Sequence, residues 1–165
     1  MNKFGLIVQE VLPEKLQEHF KEVHAEVLEE AMQDGWASDT IVRNALGCTG
    51  LFLLGTFTMT SYVNAVVYVS YRSLGLSGTE AYKKTFPVRT KKLIATDKDV
   101  TAYSGAYATT LAATEMLKMV STHSNLFNAK VKQDTIIKLQ SIVQCSEDAD
   151  LVLKASETLH KYLQA

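Results

Sequence analysis

Glu157-Thr158-Leu159-His160 is the chain's nearest approach to a metal-binding unit: a Glu-x-x-His one helical turn apart, the pair that di-iron helical bundles use twice. Such a centre needs a second Glu-x-x-His and two further inward glutamates. The sequence has no second copy, so the pair reads as a surface pair in the last turns of a C-terminal helix. His19 and His24, five residues apart, diverge around a helix and cannot share an ion as an i, i+4 pair does. His123 falls near an expected helix end, where an imidazole can meet exposed carbonyls. Gly47, Gly50 and Gly55 lack the spacing of a phosphate-cradling loop, and no Gly-Lys-Ser/Thr follows them. Ser104-Gly105 is not framed as a Gly-x-Ser-x-Gly elbow. Cys48 and Cys145 are too few and too distant for a disulfide framework or a zinc site; they read as two buried thiols of a reducing compartment. From these fragments no cofactor, metal or small-molecule ligand follows. An enzyme stays only as an alternative with a pocket among helices, where Tyr103, Tyr107 and His123 would be the first acid–base groups to suspect. The competing reading makes both tyrosines packing residues of a helix seam.

The pattern that does stand out is charge. Glu14, Glu18, Glu22, Glu26 and Glu30 recur every four residues, placing like charges on neighbouring turns of a helix. Four residues turn about 400°, so the row drifts by about 40° per step. A basic cluster, Lys83, Lys84, Arg89, Lys91 and Lys92, lies further along. Two readings are open: a solvated helix face, or an acidic surface that meets the basic one within a molecule or between copies. Head-to-tail pairing between copies would build a ring or a filament. The cluster could also touch an anionic lipid surface if a neighbouring segment entered a membrane. It has no interleaved aromatics to stack bases, and the formal net charge of −1 argues against nucleic acid as a partner.

These residues must be carried by helices. From Pro13 to Asp34, Leu16, Phe20, Val23, Val27, Leu28, Ala31 and Met32 form one apolar stripe, with Gly35 as a terminator. Ser38 and Asp39 open another helical start. Ser77-Gly78-Thr79-Glu80 has capping-box spacing for a short helix that stops before Pro87. Thr96 and Asp99 repeat that spacing and predict a long helix whose seam runs from Val100 through Tyr103 and Tyr107 to Val120. Two amphipathic helices follow, one carrying Phe127 to Ile142 and one starting at Ser146, with Glu147, Asp148 and Asp150 in its first turn.

Between Arg43 and Arg72 no residue is charged, a run of 28 positions. Three structures fit it. A transmembrane helix needs about 20 apolar residues, and the flanks, net −5 over residues 1–43 and net +5 over 72–98, would orient it with the N-terminus outside. A helix enclosed by other helices would use the many glycines, threonines and serines for close contacts. A β-hairpin turning near Tyr62 to Asn64 would suit the alternation of Thr56 to Thr60 and the β-branched run after Val66.

With 165 residues, 47% hydrophobic and 21% charged, the expectation is mainly α: one domain over residues 1–165, a bundle of about five to seven helices around the apolar segment 44–71. The N-terminal apolar run, Phe4 to Val8, is too short for a signal peptide, which points to the cytoplasm, with the membrane as the alternative. The functional expectation is a non-enzymatic interaction or assembly subunit, binding protein partners that include copies of itself. The alternatives are a small membrane-embedded subunit crossing once near 46–71, and the enzyme above.

Overall fold

The computed structural model describes residues 3–12, 14–54, 57–146 and 148–164, and their side chains outside 3–4, 15–16, 52–54, 123–132 and 161–164. Among the described residues there are ten α-helices, one 3-10 turn and no strand. In chain order these are α1 (Lys3–Val11), α2 (Glu14–Gln17), α3 (Glu22–Met32), α4 (Ser38–Gly47), the 3-10 turn (Thr49–Leu54), α5 (Met59–Ser73), α6 (Gly78–Thr85), α7 (Pro87–Ala95), α8 (Val100–Ala108), α9 (Leu111–Cys145) and α10 (Ala149–Gln164). The mainly α class holds, with more and shorter helices than five to seven. Packing divides the chain into two compact units, residues 1–120 and 121–165, with the boundary inside α9. In the second unit, the Asp148 carboxylate caps α10 by accepting the amides of Asp150 and Leu151 at 3.0 and 3.1 Å.

The first unit is built around α5. Met59, Tyr62, Val63 and every residue from Ala65 to Tyr71 are buried, and α3, α4 and α6 pack on it from different sides. The charge-free segment is therefore neither one long helix nor a hairpin. Its first part finishes α4 and the 3-10 turn. Thr58, in the stretch that alternates like a strand, instead accepts the Ser61 amide at 3.1 Å and caps α5. Fifteen residues of α helix span only about 22 Å, and no described helix is long and apolar enough to cross a membrane. The polar groups scattered through the segment join helices instead. Tyr62 donates to the Ala45 carbonyl at 2.6 Å, and Asn44 donates to Ser70 at 2.9 Å, which in turn donates to the Val66 carbonyl at 2.7 Å.

Two expected long helices are broken, each by side chains that satisfy the backbone locally. The helix foreseen from Pro13, a residue outside those described, stops at Gln17 and restarts at Glu22. Phe20 is buried in the gap, the Gln17 amide donates to the Leu12 carbonyl at 3.0 Å, and the Lys21 amide donates to His24 Nδ1 at 3.0 Å. The glutamate row is thus split: Glu14 lies on α2, Glu18 in the turn, and only Glu22, Glu26 and Glu30 share α3. The second break falls at Thr109 and Thr110, whose hydroxyls donate to the Ala106 and Tyr107 carbonyls at 2.9 and 2.8 Å. Helix α9 then continues unbroken through the expected boundary to Cys145. Thr96 ends α7, and Asp99 itself caps α8 by accepting the Thr101 amide at 2.8 Å. Ser77 and Glu80 do form the capping box: Ser77 N donates to Glu80 at 2.9 Å, and Glu80 N donates to Ser77 Oγ at 3.2 Å.

Tyr107, foreseen as seam packing or as an acid–base group, is core. Its ring meets Tyr68, Tyr82 and Phe86 with centroids 5.0, 6.0 and 4.8 Å apart. Burial raises its phenol pKa, and the hydroxyl is sealed without a hydrogen-bond partner. Tyr107→Phe removes a group that is desolvated for no return. It is expected to leave the fold intact and raise stability by about 1 kcal/mol, read as a higher urea midpoint at unchanged m; a lower midpoint would show that the hydroxyl has a partner.

His24 is a latch, not a ligand. Because Nδ1 accepts the Lys21 amide, Nε2 carries the proton and donates to Thr60 Oγ1, 3.1 Å away on α5. Burial, aided by the charge of Lys21, lowers the imidazole pKa below 6.5. The native state then binds fewer protons than the unfolded chain, so this contact stabilises fully above about pH 6.5 and its contribution drains as pH falls below that value. His24→Ala should cost about 1–3 kcal/mol at pH 8, and denaturant titrations between pH 8 and 5 should show wild type losing its margin as pH falls. A margin independent of pH would refute the neutral latch.

Candidate functional site

A cleft of about 780 Å³ lies within the first unit where α3, α5 and the α6–α7 corner meet. Its floor follows from helical spacing. Asn64, Val67 and Tyr71, three and four residues apart, present one face of α5, and Val27, Glu30 and Ala31 present one face of α3. Phe86 closes the far side: it ends α6, starts α7, and is followed by Pro87 at the first helical position. That corner compresses four cations into a short arc. Lys83 and Lys84 finish α6, and Arg89 and Lys92 come from the first two turns of α7. The amides of Val88 and Arg89, in the first turn of α7, have no helical acceptor and add positive potential.

One of the two acids facing this arc is engaged. Asp34 Oδ2 accepts Lys84 Nζ and the Tyr71 hydroxyl, the latter at 3.0 Å; the same hydroxyl lies 3.3 Å from the Ala31 carbonyl. The hydrogen bond from Lys84, helped by that from Tyr71, holds the Asp34 carboxyl below its ordinary pKa although burial pushes the other way. Burial, then the hydrogen bond to Asp34, pushes the Tyr71 phenol far up. Lys84 also lies 5.5 Å from the centre of the Tyr71 ring. The result is a fixed carboxylate and a fixed phenol, both driven away from neutral pH, beside an apolar floor. The side-chain amide of Asn64, half-buried on that floor, makes no hydrogen bond among the described residues. The arrangement suits binding of an acidic group attached to an apolar body.

Of the residues singled out by sequence, the fold brings Glu30, Lys83, Lys84, Arg89 and Lys92 around this cleft. Lys91 is exposed on α7 away from it, and Glu14, Glu18, Glu22 and Glu26 are exposed elsewhere. Asp34, Tyr71, Asn64 and Phe86 escaped sequence reading. Asp34 and Lys84 are 50 residues apart, and nothing local marks them as a pair. Tyr103 takes the Arg89 guanidinium over its ring at 5.6 Å and, like Tyr107, lines neither this cleft nor the smaller one described below. The side chain of His123 and all of Glu147 lie outside the described residues. Glu157 and His160 are exposed, and among the described residues no three His, Cys, Asp or Glu side chains gather as a metal would need. Cys48 is buried, its thiol pushed up to about 11 by burial, but Cys145 is exposed, against the expectation of two buried thiols.

Both partners of the Lys84–Asp34 pair are more than a third exposed, so solvent screening limits its value to about 1 kcal/mol. Asp34→Ala should cost no more than that at pH 7. Because the native pKa is depressed, the cost should vanish as pH falls below the ordinary carboxylate value of about 3.9, and shrink in 1 M salt; a loss of several kcal/mol in thermal or urea unfolding would mean the pair is a structural keystone. No family model matches the chain, nor does any curated protein or solved structure, so the cleft's own chemistry is where a functional reading must start.

Proposed function

We propose that this chain is a non-enzymatic assembly protein whose copies join head to tail, the basic-rimmed cleft of one receiving the outer acidic face of α3 from the next. The observation that carries the reading is the imbalance of the cleft: four cations surround an apolar floor against two carboxylates, one of which already serves Lys84. The complementary surface is on the same unit. Glu26 and Glu29 are exposed on α3 and do not line the cleft, and Val23, one turn before Val27, is exposed at the edge between them and the cleft-facing side. An acidic helix face with an apolar side chain at its edge is the shape and charge that such a groove receives. The two surfaces differ, so the contact is heterologous and propagates instead of closing as a two-fold dimer.

Sedimentation velocity at micromolar concentration should show species larger than the monomer at 50 mM salt and a shift toward monomer at 500 mM, because exposed charge pairs are screened. Lys83→Glu/Lys92→Glu and Glu26→Lys/Glu29→Lys should each be monomeric. Mixing the two variants should restore a complex, since the intact cleft of one then meets the intact acidic face of the other. Monomer in all low-salt samples, or no association on mixing, would refute the head-to-tail reading.

A further inference from the structure

A second cleft, about 260 Å³, opens where the end of α5, the start of α6, α8 and the first turns of α9 meet. It shares no residue with the first. Every polar side chain of its lining can donate a hydrogen bond. Arg72 brings a guanidinium, Tyr68, Thr79, Thr101 and Ser104 bring hydroxyls, and no carboxylate lines it. The amides of Gly78 and Thr79, in the first turn of α6, have no helical acceptor and supply two more donors at the positive end of that helix.

What marks the cleft as more than a helix end is a pair of unpartnered hydroxyls on buried residues. Tyr68 and Ser104 are each 3% exposed, and neither hydroxyl makes a hydrogen bond among the described residues. Both point at Gly78: a Cβ built there would lie 3.4 Å from the Tyr68 oxygen and 3.5 Å from the Ser104 oxygen. Unlike the sealed hydroxyls of Tyr82, Thr90 and Tyr107, these two oxygens are not closed off, and they face a cavity that an acceptor can enter.

The cleft is also held in shape before any ligand arrives. Gly75, at φ 94°, ends α5 in a left-handed turn; the Gly75 amide donates to the Arg72 carbonyl at 3.1 Å and the Leu76 amide to the Tyr71 carbonyl at 3.2 Å. Arg72, which lines the cleft, is tied back to the Leu76 carbonyl at 2.8 Å, leaving its other N–H groups to a ligand. Glu80, in the first turn of α6, is exposed and taken up by the Ser77 amide and hydroxyl. Asp99, at the start of α8, is taken up by the Thr101 amide.

We propose that this cleft binds a phosphate group, free or as the ester of a small alcohol. Arg72 and the α6 amides hold the charged oxygens, Tyr68 and Ser104 donate from below, and Ala108, Ala113 and Leu117 provide an apolar wall for the alcohol's carbons. The contact is built like other anion sites, from a helix N-terminus and a forked guanidinium, and it is independent of the first cleft and of self-association.

The discriminating variant is Gly78→Ala. Gly78 has no positive φ, and its new methyl would meet only ordinary contacts, so the fold tolerates it while the methyl covers both hydroxyls. With the full chain, amide NMR titrations use inorganic phosphate, glycerol 3-phosphate and, at matched ionic strength, potassium chloride. The Gly78 and Thr79 resonances should shift saturably with the phosphates and not with chloride. Gly78→Ala and Arg72→Gln should each weaken binding at least tenfold with unchanged thermal midpoints or higher ones. Tighter binding of glycerol 3-phosphate identifies the ester as the ligand form, and equal binding identifies free phosphate. Shifts reproduced by chloride, or a dissociation constant for Gly78→Ala within twofold of wild type, would overturn the proposal.

Discussion

Everything in the first unit depends on enclosing α5. A helix flanked by a charge-free approach on one side and by Arg72 on the other has no face suited to water, so α3, α4 and α6 must cover it. Its hydroxyls and its neighbours' amides then have to be paired inside that cover. Where α4 covers it they are: Tyr62 reaches the Ala45 carbonyl and Asn44 reaches Ser70. Each of these bonds ties α4 to α5 at a fixed register, because leaving a buried donor unmet would cost about 1–3 kcal/mol.

The last turn of α5 is where burial ends, and both clefts begin there. Tyr71 continues the face of Asn64 and Val67 into the larger cleft. Tyr68 and Arg72, four residues apart on another face, enter the smaller one. One helical turn thereby serves two sites of different character: an apolar floor with a mixed-charge rim, and a small chamber of donors. The turn between α5 and α6 fixes their spacing, since its glycine and its capping box leave little freedom between Arg72 and Gly78.

Much of this was legible where the cause was local. The capping box at Ser77, the stop before Pro87 and the clustering of Lys83, Lys84, Arg89 and Lys92 follow from neighbours in sequence. The apolar run declared an enclosed segment but not its form, because apolar content alone does not separate a buried helix from a hairpin. What sequence could not reveal was competition. The stripe from Leu16 to Met32 favours one long helix, yet burying Phe20 and bonding His24 to both Lys21 and Thr60 outweighs the hydrogen bonds lost at the break. Thr109 and Thr110 divide α8 from α9 in the same way. The Asp34–Lys84 pair and the meeting of Tyr68, Gly78 and Ser104 are tertiary facts, with no trace in local spacing.

The polar accounts of the two halves of this unit differ, and the difference bears on where a ligand or partner can act. Where α4 meets α5, the buried polar side chains at Asn44, Ser70 and Tyr62 are all bonded. Around α6, α7 and α8, the hydroxyls of Tyr82, Thr90 and Tyr107 are sealed and unmet. Packing compensates for them: the rings of Tyr68, Tyr82, Phe86 and Tyr107 form one aromatic cluster whose edge-on contacts are worth about 0.5–1.5 kcal/mol each beyond their area. Aromatic packing tolerates small rotations better than a short, directed hydrogen bond does. The α6–α7 corner is accordingly held by the less directional kind of contact, and Phe86 belongs both to that cluster and to the wall of the larger cleft. A side chain entering the cleft would press on Phe86 and be felt at Tyr107, while the hydrogen-bonded half around α4 keeps the register of α5.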